Sequence, residues 1–360
     1  MQRRRWPRIV LLGLGAIAIA AAAIYGGYFM EMQAIAERIA AGGAVAKTRH
    51  GQIEYTMWGD GPPVMTLHGA GGGYDQGVLP ARAFGGDGFR WISPSRFGYL
   101  GSTLPDDPST AAQADAFADL LDALGIDTIA IVAMSGGVPP ALQFAAHYPE
   151  RTSALVLLSS APYTPLTAAD QELPMPAWVY QFLFGSNFPF WAIQKVAPES
   201  LDSLFDVKPG MRAALTTDEQ AFVADLLDTF QPVTRRVAGL ANEGAAIDPD
   251  ATYALDKITA PTLVIHAEDD GINPFPIGEY TARHISGAEF MPLATGGHIL
   301  LGHHDEVRER VNAFLRQHAG VEPGGATRRT LGHGSLQASA PRGAAREAPG
   351  RPLSRSGARD

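Results

Sequence analysis

No cysteine occurs in the 360-residue chain, which removes disulfides, thiolate metal sites and cysteine nucleophiles while leaving the compartment open. Charge is missing over one long stretch: none of residues Ile9 to Met30 is acidic or basic. At about 1.5 Å per helical residue that run is long enough to cross a hydrocarbon layer of roughly 30 Å. The other reading is a cleaved secretory signal, whose apolar part would span only about 7 to 15 residues before a small-x-small site. The nearest such site outside the run, Ala44-Val45-Ala46, comes late. An uncleaved single-pass anchor over residues 1–30 is therefore favoured, with a cleaved, secreted protein as the alternative. In both readings the basic start stays cytoplasmic and the rest is exported.

Positive charge is scarce in the body of the chain. The formal net charge is −9, although Arg3, Arg4, Arg5 and Arg8 contribute +4, and the tail from Val321 contributes another +4 from seven Arg set against Glu322, Glu347 and Asp360. The residues between must then carry −17, which argues against nucleic acid as a partner. Hydrophobic residues make up 46%, ample for a sizeable core. Residues 31–46 read as an amphipathic or flexible spacer, and a globular domain is expected from about Lys47. The tail over 320–360 is poor in apolar residues and reads as disordered.

The sequence turns on Ile129-Ala130-Ile131-Val132-Ala133-Met134-Ser135-Gly136-Gly137, an apolar run that stops at a serine between small residues. It reads as a buried strand (Thr128 to Ala133), a sharp turn at Ser135 and a helix from Val138 to Tyr148. A strained strand-to-helix turn of this kind pushes a serine hydroxyl outward and tolerates only small neighbours. Ala133 stands where the usual G-x-S-x-G pattern has glycine, a departure of one methyl group. Upstream, Val64 to Leu67 reads as a strand leading into His68-Gly69-Ala70-Gly71-Gly72-Gly73. Such a loop could bring backbone N–H groups to a developing oxyanion. The Lys-Ser/Thr that should end a phosphate-binding loop is absent, and a plain glycine linker is the remaining alternative.

Strands at Phe89 to Ile92, Ala154 to Leu158, Pro261 to His266 and Glu289 to Leu293 alternate with helices capped at Ser109 or Thr110 and running over His304 to His318. That alternation predicts an α/β fold with a mostly parallel sheet flanked by helices. Residues 162–257 break it with a helical, aromatic-rich insertion carrying Trp178, Tyr180, Phe182, Phe184, Phe188, Phe190 and Trp191.

The His68-Gly69 loop, the Ser95 to Ser102 loop, Ala133-Met134-Ser135-Gly136-Gly137 and His147-Tyr148-Pro149-Glu150-Arg151 together resemble the α/β-hydrolase superfamily. The resemblance covers 47–161 and resumes over 258–319, and it implies that the insertion at 162–257 is a cap over an active site. It further implies a Ser-Asp-His constellation: Ser135 as nucleophile, His298 as base in the glycine loop after the last strand, and Asp270, four residues before Pro274, as the acid. Asp269 is the runner-up acid. The stretch after the Ala154 to Leu158 strand, Ser159-Ser160-Ala161-Pro162, has no carboxylate to serve as an alternative. The oxyanion donors would be the backbone N–H groups of Ala70 and Gly136. His68 is expected to be structural, and His303 and His304 to lie at the surface or cap a helix. No metal site and no cofactor is expected. The resemblance implies a serine hydrolase cleaving a carboxylic ester, and the aromatic-rich insertion suggests that the ester carries an apolar acyl or aryl group. Carbon–carbon bond hydrolysis, acyl transfer and a non-catalytic binding role are the alternatives, and the lack of an aspartate at position 135 disfavours dehalogenase and epoxide hydrolase chemistry.

Overall fold

The computed structural model describes residues 6–163, 165–166, 177–243, 248 and 250–320. The tail from Val321, Arg3 to Arg5 of the basic start and parts of the 162–257 insertion lie outside the described residues. The chain begins with helix α1 (Trp6–Gly42) and continues through strands β1 (Ala44–Thr48), β2 (Gly51–Trp58) and β3 (Pro63–Leu67). Helix α2 (Tyr74–Pro80), strand β4 (Arg90–Pro94), helix α3 (Thr110–Ala123), strand β5 (Ile129–Met134), helix α4 (Val138–His147) and strand β6 (Thr152–Leu158) follow. The insertion then supplies α5 (Ala177–Phe184), α6 (Asn187–Val196), α7 (Thr217–Thr229) and α8 (Val237–Glu243). Strand β7 (Thr262–Ala267), helix α9 (Pro276–His284), strand β8 (Glu289–Leu293) and helix α10 (His304–His318) complete the order.

The eight strands form one sheet in the order β1-β2-β4-β3-β5-β6-β7-β8, antiparallel across β1, β2 and β4 and parallel from β4 to β8. Strands β5, β6 and β7 are buried at every position, as expected of parallel strands covered on both faces, and this is why they read as unbroken apolar runs. Alternate β5 residues serve opposite faces. Ile129, Ile131 and Ala133 pack with α3, α4 and α9, whereas Ala130, Val132 and Met134 pack on the side of α2, α10 and the inserted helices. Helix α3 starts at Ser109, whose hydroxyl accepts the Ala112 N–H at 3.1 Å. Helix α7 starts with a reciprocal cap between Thr216 and Glu219, and the same Glu219 carboxylate accepts the Gly302 N–H at 2.6 Å, tying the insertion to the segment before α10.

Residues 31–46 differ from the sequence expectation. They are not a spacer: α1 continues without a break to Gly42, and β1 begins at Ala44, so the domain starts before Lys47. Alanine, glutamate, glutamine, methionine and arginine favour helix here, and tertiary contacts hold it. Ile39 is fully buried and its carbonyl accepts the Tyr74 hydroxyl at 2.6 Å; Glu31 pairs with Lys195 at 2.8 Å and accepts Trp191 Nε1–H at 2.9 Å. Helices α2 and α9 also escape the sequence reading. Both are short, and their Gly and Pro content obscures a helical period.

At Gly137 an added Cβ would lie 2.5 Å from the Leu67 carbonyl oxygen and 2.8 Å from that of His68, both backbone atoms of the neighbouring strand end. We expect Gly137→Ala to lower the unfolding free energy by about 1–3 kcal/mol, the usual cost of forcing a group into a filled site; denaturant titration in detergent measures it.

Candidate active site

Strand β5 delivers Met134 in an extended conformation (φ −123°, ψ 135°), and the next residue, Ser135, sits at φ +52°. A non-glycine residue at positive φ is held there against an intrinsic cost of about 1–3 kcal/mol. The turn over 135–137 then leads into α4, and Gly136 and Gly137 let the chain pass close to the β3 end. Ser135 is buried, and its Oγ lies 3.0 Å from His298 Nε2 and 3.5 Å from Asn273 Nδ2.

His298 stands in the loop between β8 and α10, with Gly296 (φ +128°) and Gly297 (φ +58°) before it. Its Nδ1 is 3.0 Å and 3.2 Å from the two carboxylate oxygens of Asp270. A proton on Nδ1, held by that carboxylate, leaves Nε2 free to accept the Ser135 hydroxyl proton. Asp270 lies just beyond the end of β7. Burial pushes its pKa up, but the facing His298, the imidazole of His266 and the Asn273 N–H at 2.8 Å together hold it well below the ordinary carboxylate range.

Of the two acids offered by the sequence, the structure brings Asp270 to the histidine. Asp269 is occupied elsewhere: one oxygen accepts the Gly297 N–H at 2.8 Å and the other accepts Lys208 Nζ at 2.7 Å. The oxyanion candidates are also neighbours. The Ala70 nitrogen lies 3.2 Å from the point a Cβ on Gly136 would occupy, so the two residues flank one space. His68 is buried with both ring nitrogens engaged, Nδ1 with the Gly69 carbonyl at 2.7 Å and Nε2 with the Arg96 N–H at 3.0 Å. Burial and the nearby Arg96 push its pKa well down and keep it neutral, the structural role read from the sequence. His304 departs from expectation: it is buried between Phe84 and Phe222, with Nε2–H donating to the Ile299 carbonyl at 3.0 Å. Among the described residues no cluster of His, Asp and Glu could hold a metal ion.

Four polar residues at the site escape sequence reasoning. His266, at the end of β7, donates Nε2–H to the Asn273 carbonyl at 2.9 Å and lies 3.3 Å from Asp270 Oδ2. Asn273 donates to the Ser159 carbonyl at 2.9 Å and so spans the ends of β6 and β7. Asp206, from the insertion, sits at φ +59° and accepts N–H bonds from Gly271 at 2.8 Å and His298 at 3.2 Å, tying the acid loop to the histidine loop. Glu243, at the end of α8, is fully enclosed and accepts from Arg96 and from the Tyr99 hydroxyl, while its Oε2 lies 2.5 Å from the Gly136 Cβ position. The signal for Asn273 is its place in the acidic turn; His266, four residues before Asp270, reads in the sequence only as the end of a strand, and Asp206 and Glu243 reach the site through long-range contacts with no local pattern.

The profile of the alpha/beta hydrolase fold family matches residues 62–305. An uncharacterized hydrolase of Bacillus subtilis, YcgS, is 27% identical over 267 residues, which are 69% of this chain and 89% of that protein. A 2-hydroxy-6-oxononadienedioate/2-hydroxy-6-oxononatrienedioate hydrolase of Paraburkholderia xenovorans is 28% identical over 270 residues, covering 72% of this chain and 89% of its own length. Among solved structures, an alpha/beta hydrolase fold protein from Nakamurella multipartita superposes with a TM-score of 0.67 at 26% identity, over 76% of this chain and 99% of that one.

Because the folded pKa of Asp270 lies below its unfolded value of about 3.9, its contribution to stability is complete above that value and is lost as pH falls toward the folded pKa. The difference in unfolding free energy between wild type and Asp270→Asn should therefore hold steady from pH 7 to about 5 and shrink below about pH 4. Parallel denaturant titrations across that range check it; a difference that grows on acidification contradicts the sign.

Proposed function

The chain belongs to the α/β-hydrolase-fold family, and on that premise we propose that it is a serine hydrolase cleaving a carboxylic ester through an acyl-enzyme on Ser135. The observation that carries this reading is the 3.0 Å approach of Ser135 Oγ to His298 Nε2 on a positive-φ turn, with His298 Nδ1 in turn 3.0 Å from Asp270. His298 takes the hydroxyl proton as Oγ attacks the carbonyl carbon. The N–H groups of Ala70 and Gly136 receive the charge on the carbonyl oxygen, a contribution worth about 10²- to 10³-fold in rate per donor. Collapse expels the alcohol, which takes the proton from His298. A water deprotonated by His298 then attacks the acyl carbon, and Ser135 Oγ leaves with the proton restored. Asp270 stays ionised throughout, holding the imidazole tautomer and stabilising the imidazolium.

The rings of Phe184, Phe190, Phe205 and Phe230 cluster in the inserted helices, and a Cβ on Gly71 would run into the Phe230 ring. This apolar mass beside the oxyanion loop supports an apolar acyl or aryl group on the ester. A second reading keeps the same residues but cleaves a carbon–carbon bond in a vinylogous diketone; it draws on the printed activity of the Paraburkholderia relative. Product analysis with an ester panel and a diketone panel separates the two. The helix from Ile9 onward has an apolar window with mean hydropathy 2.3, none of it buried, which supports a membrane anchor or a signal sequence. We take it as a single-pass anchor with the hydrolase domain outside the cytoplasm.

Labelling by a fluorophosphonate probe should occur in wild type and vanish in Ser135→Ala. Ester turnover should fall roughly 10⁵- to 10⁶-fold in Ser135→Ala and about 10⁴-fold in Asp270→Asn, with a much smaller loss in Asp269→Asn. Full turnover by Ser135→Ala overturns the mechanism.

A further inference from the structure

Helix α1 has two parts with different surroundings. From Ile9 to Ile24 its side chains are exposed and apolar, which in water is an untenable state for so long a surface. From Tyr28 it packs on the domain. The Tyr28 ring lies 5.2 Å from that of Phe188 and 5.3 Å from that of Trp191. Glu31 holds Lys195 and Trp191, Arg38 approaches Asp75 at 3.7 Å, and Ile39 is buried. No turn or hinge interrupts the helix between these parts. Whatever surface the first part enters is therefore presented to the domain in a fixed direction.

Glu31 is the first charge after Arg8. A bilayer around the apolar part must have its boundary near Tyr25 to Glu31, where aromatic rings are most stable at the water–lipid interface. The contact of Phe188 with Tyr28 puts the first turn of α6 at that level. Helix α5 joins α6 through only Gly185 and Ser186, and it turns large apolar side chains outward: Trp178 is 71% exposed and Phe182 56%, one helical turn apart on the same face. Phe188 itself is 39% exposed. From this surface an inner line of rings, Phe184 and Phe190 against Phe230, reaches the oxyanion loop at Gly71.

We propose that the exposed face of α5, together with Phe188, docks into the bilayer interface that α1 enters, so that the cap rests on lipid and the enzyme draws its ester from the membrane. The substrate class that fits is an ester partitioned into lipid. The surface rests on the reading of α1 as a membrane span, and the lipid-entry step also rests on the ester hydrolase reading.

The absence of native cysteine allows single-cysteine variants of the full chain to carry an environment-sensitive fluorophore. The variants are Ala18→Cys within the apolar part, Phe182→Cys on the docking face and Arg283→Cys on α9, reconstituted in phosphatidylcholine nanodiscs with and without quencher-bearing lipid. Quenching at 18 and 182 but not at 283 is the expected result. Quenching at 18 without 182 overturns the docking while leaving the anchor intact; no quenching at 18 overturns the anchor and the docking with it. In parallel, Trp178→Ser/Phe182→Ser should lower kcat/KM for a long-chain ester presented in the bilayer by roughly five-fold or more and leave a water-soluble short-chain ester unchanged. Equal loss on both esters, or loss on neither, overturns lipid entry. Absence of turnover with either ester in wild type that still passes the quenching test would instead strike the ester reading alone.

Discussion

Everything at the site depends on one constraint, the positive φ of Ser135. The conformation aims the hydroxyl away from the sheet and toward His298, and it persists only because its surroundings leave no alternative. Strand β5 before it is buried at every position and paired on both edges, to β3 and β6. After it, Gly137 lies so close to the carbonyls of Leu67 and His68 that no side chain fits. Strain in one residue is thus offset by two strand ladders and an apolar core on each face, which is why the turn sits at the centre of the sheet rather than at an edge.

A second layer of constraint is electrostatic and comes from the inserted helices. Asp206 accepts N–H bonds from both the acid loop and the histidine loop, so the distance between Asp270 and His298 is set by a carboxylate that belongs to neither. Arg236 is completely buried, paired with Asp75 at 2.9 Å and donating to the Gly72 carbonyl at 2.7 Å, which pins the insertion to the glycine loop. Glu243 joins Arg96 and Tyr99 beside the space that Ala70 and Gly136 flank. A buried pair of this kind adds little net stability, because desolvation cancels much of the attraction, yet losing one partner is costly. Its effect here is positional: cap and core cannot separate without exposing unpaired buried charge. Arg96 also sets a positive charge against Glu243, which lessens the repulsion a carboxylate would exert on an oxyanion nearby.

The sheet was legible in the sequence because parallel strands buried on both faces leave short unbroken apolar runs, and each of those at β3, β5, β6 and β7 falls within about two residues of its observed bounds; the edge strand β8, largely exposed, was placed as well, from the residues Glu289 to Leu293. The turn at Ser135 and the loop at His298 were legible through small residues that a tight backbone demands. Helices α2 and α9 were not, since in Tyr74–Pro80 and Pro276–His284 glycine and proline sit inside short elements whose helical state is imposed by packing. Asp206 and Glu243 were invisible for a different reason. Asp206 is 92 residues from His298 and Glu243 is 147 residues from Arg96, and no local spacing encodes such a meeting. The misreading of residues 31–46 has the same origin: an alanine-rich amphipathic stretch looks like a tether until the cap side chains that it binds are known.

That last point changes how the N-terminal helix acts on the enzyme. A flexible tether would let the domain sample all orientations above a membrane and would leave substrate capture to diffusion through water. A continuous helix clamped at Tyr28, Glu31 and Ile39 removes that freedom during folding, so the orientational entropy is already lost before any substrate arrives. The clamp contacts fall on α6 of the insertion and on Tyr74 at the start of α2, and α2 follows directly from the glycine loop that carries Ala70. The N-terminal helix, the inserted helices and the glycine loop are therefore joined by direct contacts with no intervening linker. Under the proposed membrane reading the position of the bilayer becomes part of the geometry of the site, since moving α1 relative to a membrane would move the inserted helices and their aromatic column with it.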